Sequence, residues 1–125
     1  MTPEEFAAGI KRVAFDYANE GSLQPHGQQP REELVRIWDW YIALSSHDQA
    51  LVRHAMRIAV HSALFGFFAV LGGEVAIDDP PQGELRLIYV DRHGNEQQLN
   101  RPEVEELQSL WIDEVYPYTE PTQRR

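Results

Sequence analysis

The chain has 125 residues, a common size for one domain, and 42% of them are hydrophobic, so it can bury a core without staples. It has no cysteine, which excludes disulfides, thiolate metal sites and cysteine nucleophiles. The formal charge of −9 repels nucleic-acid phosphates, and no basic stretch interleaved with aromatic residues offsets it, so no nucleic-acid partner is expected.

Neither a basic n-region nor an apolar h-region opens the chain, so no signal peptide is expected. With no cysteine to protect or oxidise, a reducing, cytoplasmic location fits. Pro3 suits the first position of a helix over 3–20, with Thr2 as its N-cap. Phe6, Ile10, Val13 and Tyr17 recur at helical spacing and mark its buried face. Gly21 is a natural stop, and the Gly, Pro, His and Gln residues of 21–29 read as a loop.

A second helix is expected over 30–44, with Leu34, Ile37, Trp38 and Tyr41 on its apolar face and Glu32 and Arg36 as an i,i+4 pair. The central helix is expected over 47–71, roughly 37 Å long. Ser46 reads as its N-cap, with Gln49 reaching back in a capping box. Gly72 and Gly73 stop it. Its most apolar stretch, Ile58 to Leu71, is shorter than the about 20 residues that a membrane span needs, so it reads as a core helix and no membrane is expected. Ala55, Ala59, Ser62 and Gly66 make a stripe of small residues, where the first or second helix should cross closely.

After Gly73 the period shortens to two. Strands are expected at 74–78, 84–90 and 96–99. Asp91 to Asn95 forms a hairpin turn in which Gly94 supplies positive φ. Asn100 then caps a last helix over 101–115, with Val104, Leu107, Trp111 and Val115 buried, and the prolines of 116–125 hold an extended tail. The expected whole is a single α+β domain: three N-terminal helices including the long central one, a three-stranded antiparallel meander and a C-terminal helix.

Two surfaces could carry function. On the central helix, Arg53, His54, Arg57 and His61 share one arc with His47, and the arc continues as Leu64, Phe65 and Phe68. Cations in early turns oppose the helix dipole, so something must compensate them. Carboxylates such as Glu32, Asp39, Glu103 or Glu106 are the plain answer. The alternative is an anionic, amphipathic ligand gripped by the arginine forks. A metal is not expected, because His47, His54 and His61 are separated by roughly 10 Å per pair of turns.

The second surface is acidic and aromatic: Glu103, Glu106, Asp113 and Glu114 beside Tyr116 and Tyr118, suited to a basic protein partner. Motifs for hydrolase elbows, metalloproteases, phosphate loops and dinucleotide sites are all absent, so neither an enzyme nor a cofactor is expected. A homodimer is open, because the apolar end of the central helix could pair two chains.

Two stretches carry a resemblance. His61-Ser-Ala-Leu-Phe-Gly-Phe-Phe-Ala-Val-Leu-Gly-Gly73 is the first. Gly83-Glu-Leu-Arg-Leu-Ile-Tyr-Val90, with Leu99-Asn100 and Glu106-Leu-Gln-Ser-Leu-Trp111, is the second. Together they resemble small bacterial proteins of the immunity type, encoded beside secreted toxins. The resemblance implies a non-enzymatic role, in which the protein occludes a toxin's active site through complementary charge.

Overall fold

The computed structural model describes residues 1–25, 27–101 and 106–115. His26, residues 102–105 with Glu103 and Val104, and the tail 116–125 with Tyr116 and Tyr118 lie outside them. The chain is mostly helical with one two-stranded antiparallel sheet, an arrangement compatible with the α+β class.

Helix α1 covers Pro3–Ile10 and starts as its sequence dictates. Thr2 Oγ1 accepts from the Glu5 amide at 3.0 Å, and Glu5 Oε1 accepts from the Thr2 amide at 2.7 Å, a closed capping box. Those bonds to Thr2 hold the Glu5 carboxyl below its ordinary pKa. The chain then passes through a π-helical segment, Lys11–Asp16, into α2, Tyr17–Gly21. A wider turn aligns residues five apart, and the Lys11 ammonium meets the Asp16 carboxylate at 3.1 Å.

This wider turn overturns part of the expected buried face. Its extra residue rotates everything downstream, so Phe15 and Asn19 turn inward and Val13 and Tyr17 face solvent. A strict period of 3.6 cannot anticipate that shift.

Helix α3, Glu32–Ile42, buries Tyr41 and half-buries Leu34 and Trp38, whereas Ile37 is exposed. Glu33, rather than the expected Glu32–Arg36 pair, takes the helix's ionic contact, with Arg31. Helix α4, Ser46–Leu71, is capped by Ser45 and not Ser46: the Ser45 hydroxyl accepts from the Asp48 amide at 3.1 Å. Gln49 does not close a capping box. Its amide donates backward to the carbonyls of Tyr41 (3.1 Å) and Leu44 (3.4 Å), which satisfies the end of α3. Gly73, at φ +84°, lets the chain turn back so that the Glu74 amide reaches the Ala69 carbonyl at 2.9 Å.

Residues 74–78 form no strand. Asp78 accepts from the Gln82 amide at 2.8 Å and so folds the segment into a turn. The sheet is one hairpin, β1 (Ile88–Val90) against β2 (Glu96–Gln98), shorter than the meander expected from alternation. Its turn forms as expected. Gly94 adopts φ +84°, and Asp91 Oδ1 accepts from the amides of His93 (2.8 Å) and Asn95 (2.9 Å). The Asn95 amide bond is the main reason the Asp91 carboxyl sits below its ordinary pKa.

The expected helix start after Asn100 falls on residues 102–105, outside the described ones. The Asn100 side-chain amide donates to the carbonyls of Leu71 and Leu85, and its Oδ1 accepts from the Leu87 amide at 2.9 Å. One side chain thus ties the end of α4 to the strand-side segment.

Helix α5, Leu107–Val115, closes the core. Ala7, Phe15, Phe68, Leu107, Leu110, Trp111 and Val115 form one buried cluster, where α1, the π segment, α4 and α5 converge. The central helix is therefore packed on α5 and the N-terminal helix, not on a meander. Its stripe of small residues is not crossed by α1 or α3. Ala55, Ala59, Ser62 and Gly66 are exposed, together with Leu51, Ile58 and Phe67. Only 11% of its most apolar 18-residue window is buried, and by length and composition α4 could cross a membrane. The expectation of a helix enclosed on most sides fails because the small sheet and α3 leave its outer half uncovered.

Candidate functional site

The arc of basic residues on α4 does not form one site. Its later part faces inward, because its continuation, Leu64, Phe65 and Phe68, packs against the core, whereas His47 and Arg53 are exposed. His61, at the boundary, accepts a hydrogen bond at Nδ1 from Trp111 Nε1 at 3.1 Å. The two rings are stacked, with centroids 6.2 Å apart. Arg53 lies two turns earlier and donates to the Tyr41 hydroxyl. No carboxylate neutralises Arg53 among the described residues. His54 and Arg57 lie between them, half-buried.

Arg53 and Tyr41 line a cavity of about 260 Å³ with Asn19, Trp38, Gln49 and Met56. His54, Arg57 and His61 are not part of its wall. The Asn19 amide is buried beside it, and neither its oxygen nor its nitrogen has a hydrogen-bond partner among the described residues.

Burial holds the His61 pKa below its ordinary value. The neutral ring is the one that can accept at Nδ1. Above the ordinary value of 6.5 both folded and unfolded chains carry neutral His61, and its contribution to stability is complete. As pH falls, the unfolded chain takes up the proton first, so stability is lost down through the depressed folded value. Thermal melts from pH 8 to pH 5 should therefore show a steeper fall for the natural chain than for His61→Phe.

The second surface lies around the start of α5. Leu107, Leu110, Trp111 and Val115 are all buried, which leaves Asp113 exposed and Glu114 half-exposed. Trp111 is buried, at the centre of the core. Glu106, just before α5, is exposed, seven residues and about two turns from Asp113. Its carboxyl shares a hydrogen bond with that of Glu74, just after α4. That bond, and then the repulsion between two like charges, raises the Glu106 pKa.

Glu106 also lines a cleft of about 520 Å³ between the end of α4 and residues 75–85, with Asp78, Glu84 and Arg101 among its polar walls and Val75 and Ile77 among its apolar ones. Glu74 was invisible as part of this group, because a separation of 32 residues leaves no local pattern. Among the described residues no group of three or more His, Asp or Glu is placed to hold a metal.

In comparisons with known proteins, no family model, no curated protein and no solved structure matches this chain.

Proposed function

We propose that the chain is a non-enzymatic protein-binding module whose acidic edge takes a basic partner. The observation that carries this reading is the Glu74–Glu106 pair, two carboxyls in contact, with Glu106 on the wall of the cleft. Such an arrangement costs free energy, and a partner's lysine or arginine relieves it. The adjoining cleft offers apolar walls for the stem of such a side chain and the carboxylates of Asp78 and Glu84 for its head. Asp113 and Glu114 extend the same sign of charge along α5. An inhibitor of the immunity type, which covers a toxin's active site, is the form of this function that the resemblance of His61 to Trp111 favours.

The experiment is co-expression with the product of the adjacent gene. A stable one-to-one complex is expected, and separate elution of the two chains contradicts the reading. A proton balance sharpens it. In the free chain Glu106 holds its proton to a pH above the ordinary value of 4.5, and an arriving cation lowers that pKa. Calorimetric titrations of the two proteins just above that pH, in buffers of different ionisation enthalpy, should report proton release. Glu74→Gln should diminish it.

A second reading keeps a specific observation. Arg53 meets a tyrosine hydroxyl, not a carboxylate, at the mouth of a cavity. A small carboxylate held by the Arg53 fork and stacked on Trp38 suits that geometry. If it binds there, thermal stabilisation by small aromatic carboxylates should vanish in Arg53→Ala.

A further inference from the structure

The cavity of about 260 Å³ that Arg53 shares with Tyr41 and Trp38 carries an opposite charge on its wall, Glu20. Three elements meet there. Asn19 and Glu20 come from α2, Trp38 and Tyr41 from α3, and Arg53 and Met56 from α4. Glu20 and Arg53 form no ion pair among the described residues, with each other or with any other group. Arg53 spends a guanidinium N–H on the neutral Tyr41 hydroxyl, which holds the fork in place and leaves its charge uncompensated. Two opposite charges thus line one small space without meeting across it.

The rest of the wall is of another kind. Leu23, Trp38 and Met56 are apolar and half-buried, and the Trp38 ring lies 5.7 Å from that of Tyr41. Asn19 is 7% exposed, and its amide oxygen and nitrogen have no hydrogen-bond partner among the described residues. An amide left so is destabilising, and a polar guest in the adjoining space offsets that effect. The volume falls below the about 300–1,000 Å³ of sites for drug-sized ligands, so the guest is a small metabolite.

We infer that this cavity binds a free α-amino acid with an apolar side chain. Its carboxylate takes the remaining N–H groups of Arg53, its ammonium meets Glu20, and its side chain lies among Leu23, Trp38 and Met56. A rotation of the Asn19 side chain toward the cavity gives its oxygen the same ammonium as a partner. A zwitterion answers both charges at once, which a plain carboxylate, an amine or the end of a peptide does not. The inference rests on the reading in which Arg53 takes a carboxylate, and it adds the ammonium half of the site. The acidic edge at Glu74 and Glu106 does not take part.

Calorimetric titration of the full chain with L-phenylalanine and L-leucine tests it. At least one should bind, about tenfold more tightly than its analogues that lack one charge. For phenylalanine these are hydrocinnamate, without the ammonium, and phenethylamine, without the carboxylate. For leucine they are isocaproate and isoamylamine. Glu20→Gln should abolish the preference for the amino acid over the matching carboxylate and leave binding of that carboxylate unchanged. Glu20 is exposed, so this variant should keep the melting temperature of the natural chain.

Carboxylates that bind as tightly as their amino acids overturn the inference and leave the carboxylate reading of Arg53 standing. A preference for the amino acid that survives Glu20→Gln overturns it as well. An amine that matches its amino acid, or no binding by any of these ligands at millimolar concentration, removes both.

Discussion

Trp111→Ala should cost about 3–5 kcal/mol of stability, a large share of the 5–15 kcal/mol typical of a domain. Trp111 has no exposed surface. Its ring stacks on Phe68 at a centroid distance of 5.3 Å and meets the edge of Phe15 at 5.6 Å. It therefore joins α5 to both α4 and the π segment, and truncation leaves a cavity where these elements converge. Trp111→Phe keeps an aromatic ring and removes the N–H, so it should lose only the bond to His61, about 1 kcal/mol, plus a smaller packing term. Urea unfolding followed by far-ultraviolet circular dichroism checks both. A loss below 1 kcal/mol for Trp111→Ala would remove Trp111 from the centre of the core.

Asn100→Ala should destabilise by about 1–3 kcal/mol, although Asn100 is only partly buried. The cause is the company it keeps: it satisfies two carbonyls and an amide on two separate segments. Asn100→Asp keeps the acceptor for the Leu87 amide but turns a carboxylate toward the Leu71 and Leu85 carbonyls. It should therefore be no better than alanine. Amide exchange offers a local readout: the Leu87 and Leu99 amides should lose protection before those of α4.

The start of the first helix and the stop of the long one were legible because they are written locally. Thr2, Pro3 and Glu5 announce α1, and Gly72 and Gly73 end α4 within a residue of the expected stop. The hairpin turn was legible for the same reason, since Asp91 and Gly94 act within five residues. What was not legible depends on distant partners. Alternation at Glu74 to Asp78 looks like a strand, but a strand needs an edge to pair with, and the Leu71 and Leu85 carbonyls are taken by Asn100. The π segment shifts the buried face from Val13 and Tyr17 to Phe15 and Asn19, a rotation set by packing on Trp111.

The candidate sites divide in the same way. The basic arc of α4 was found, but its members separate, because Arg53 bonds Tyr41 of α3 while His61 bonds Trp111 of α5. The acidity around α5 was found at Glu106, Asp113 and Glu114, while Glu74, which makes Glu106 distinctive, comes from the far end of another helix. The small-residue stripe was found and assigned to an internal crossing.

Charge reversal on the acidic edge tests the proposed function most directly. The affinity of the adjacent gene's product is measured for the natural chain and for Glu106→Lys, Asp113→Lys and Glu114→Lys together, at low and at physiological salt. At least a tenfold loss is expected, larger at low salt, with the melting temperature of the free chain preserved. An unchanged affinity in a folded variant would contradict the assignment of this edge as the binding surface.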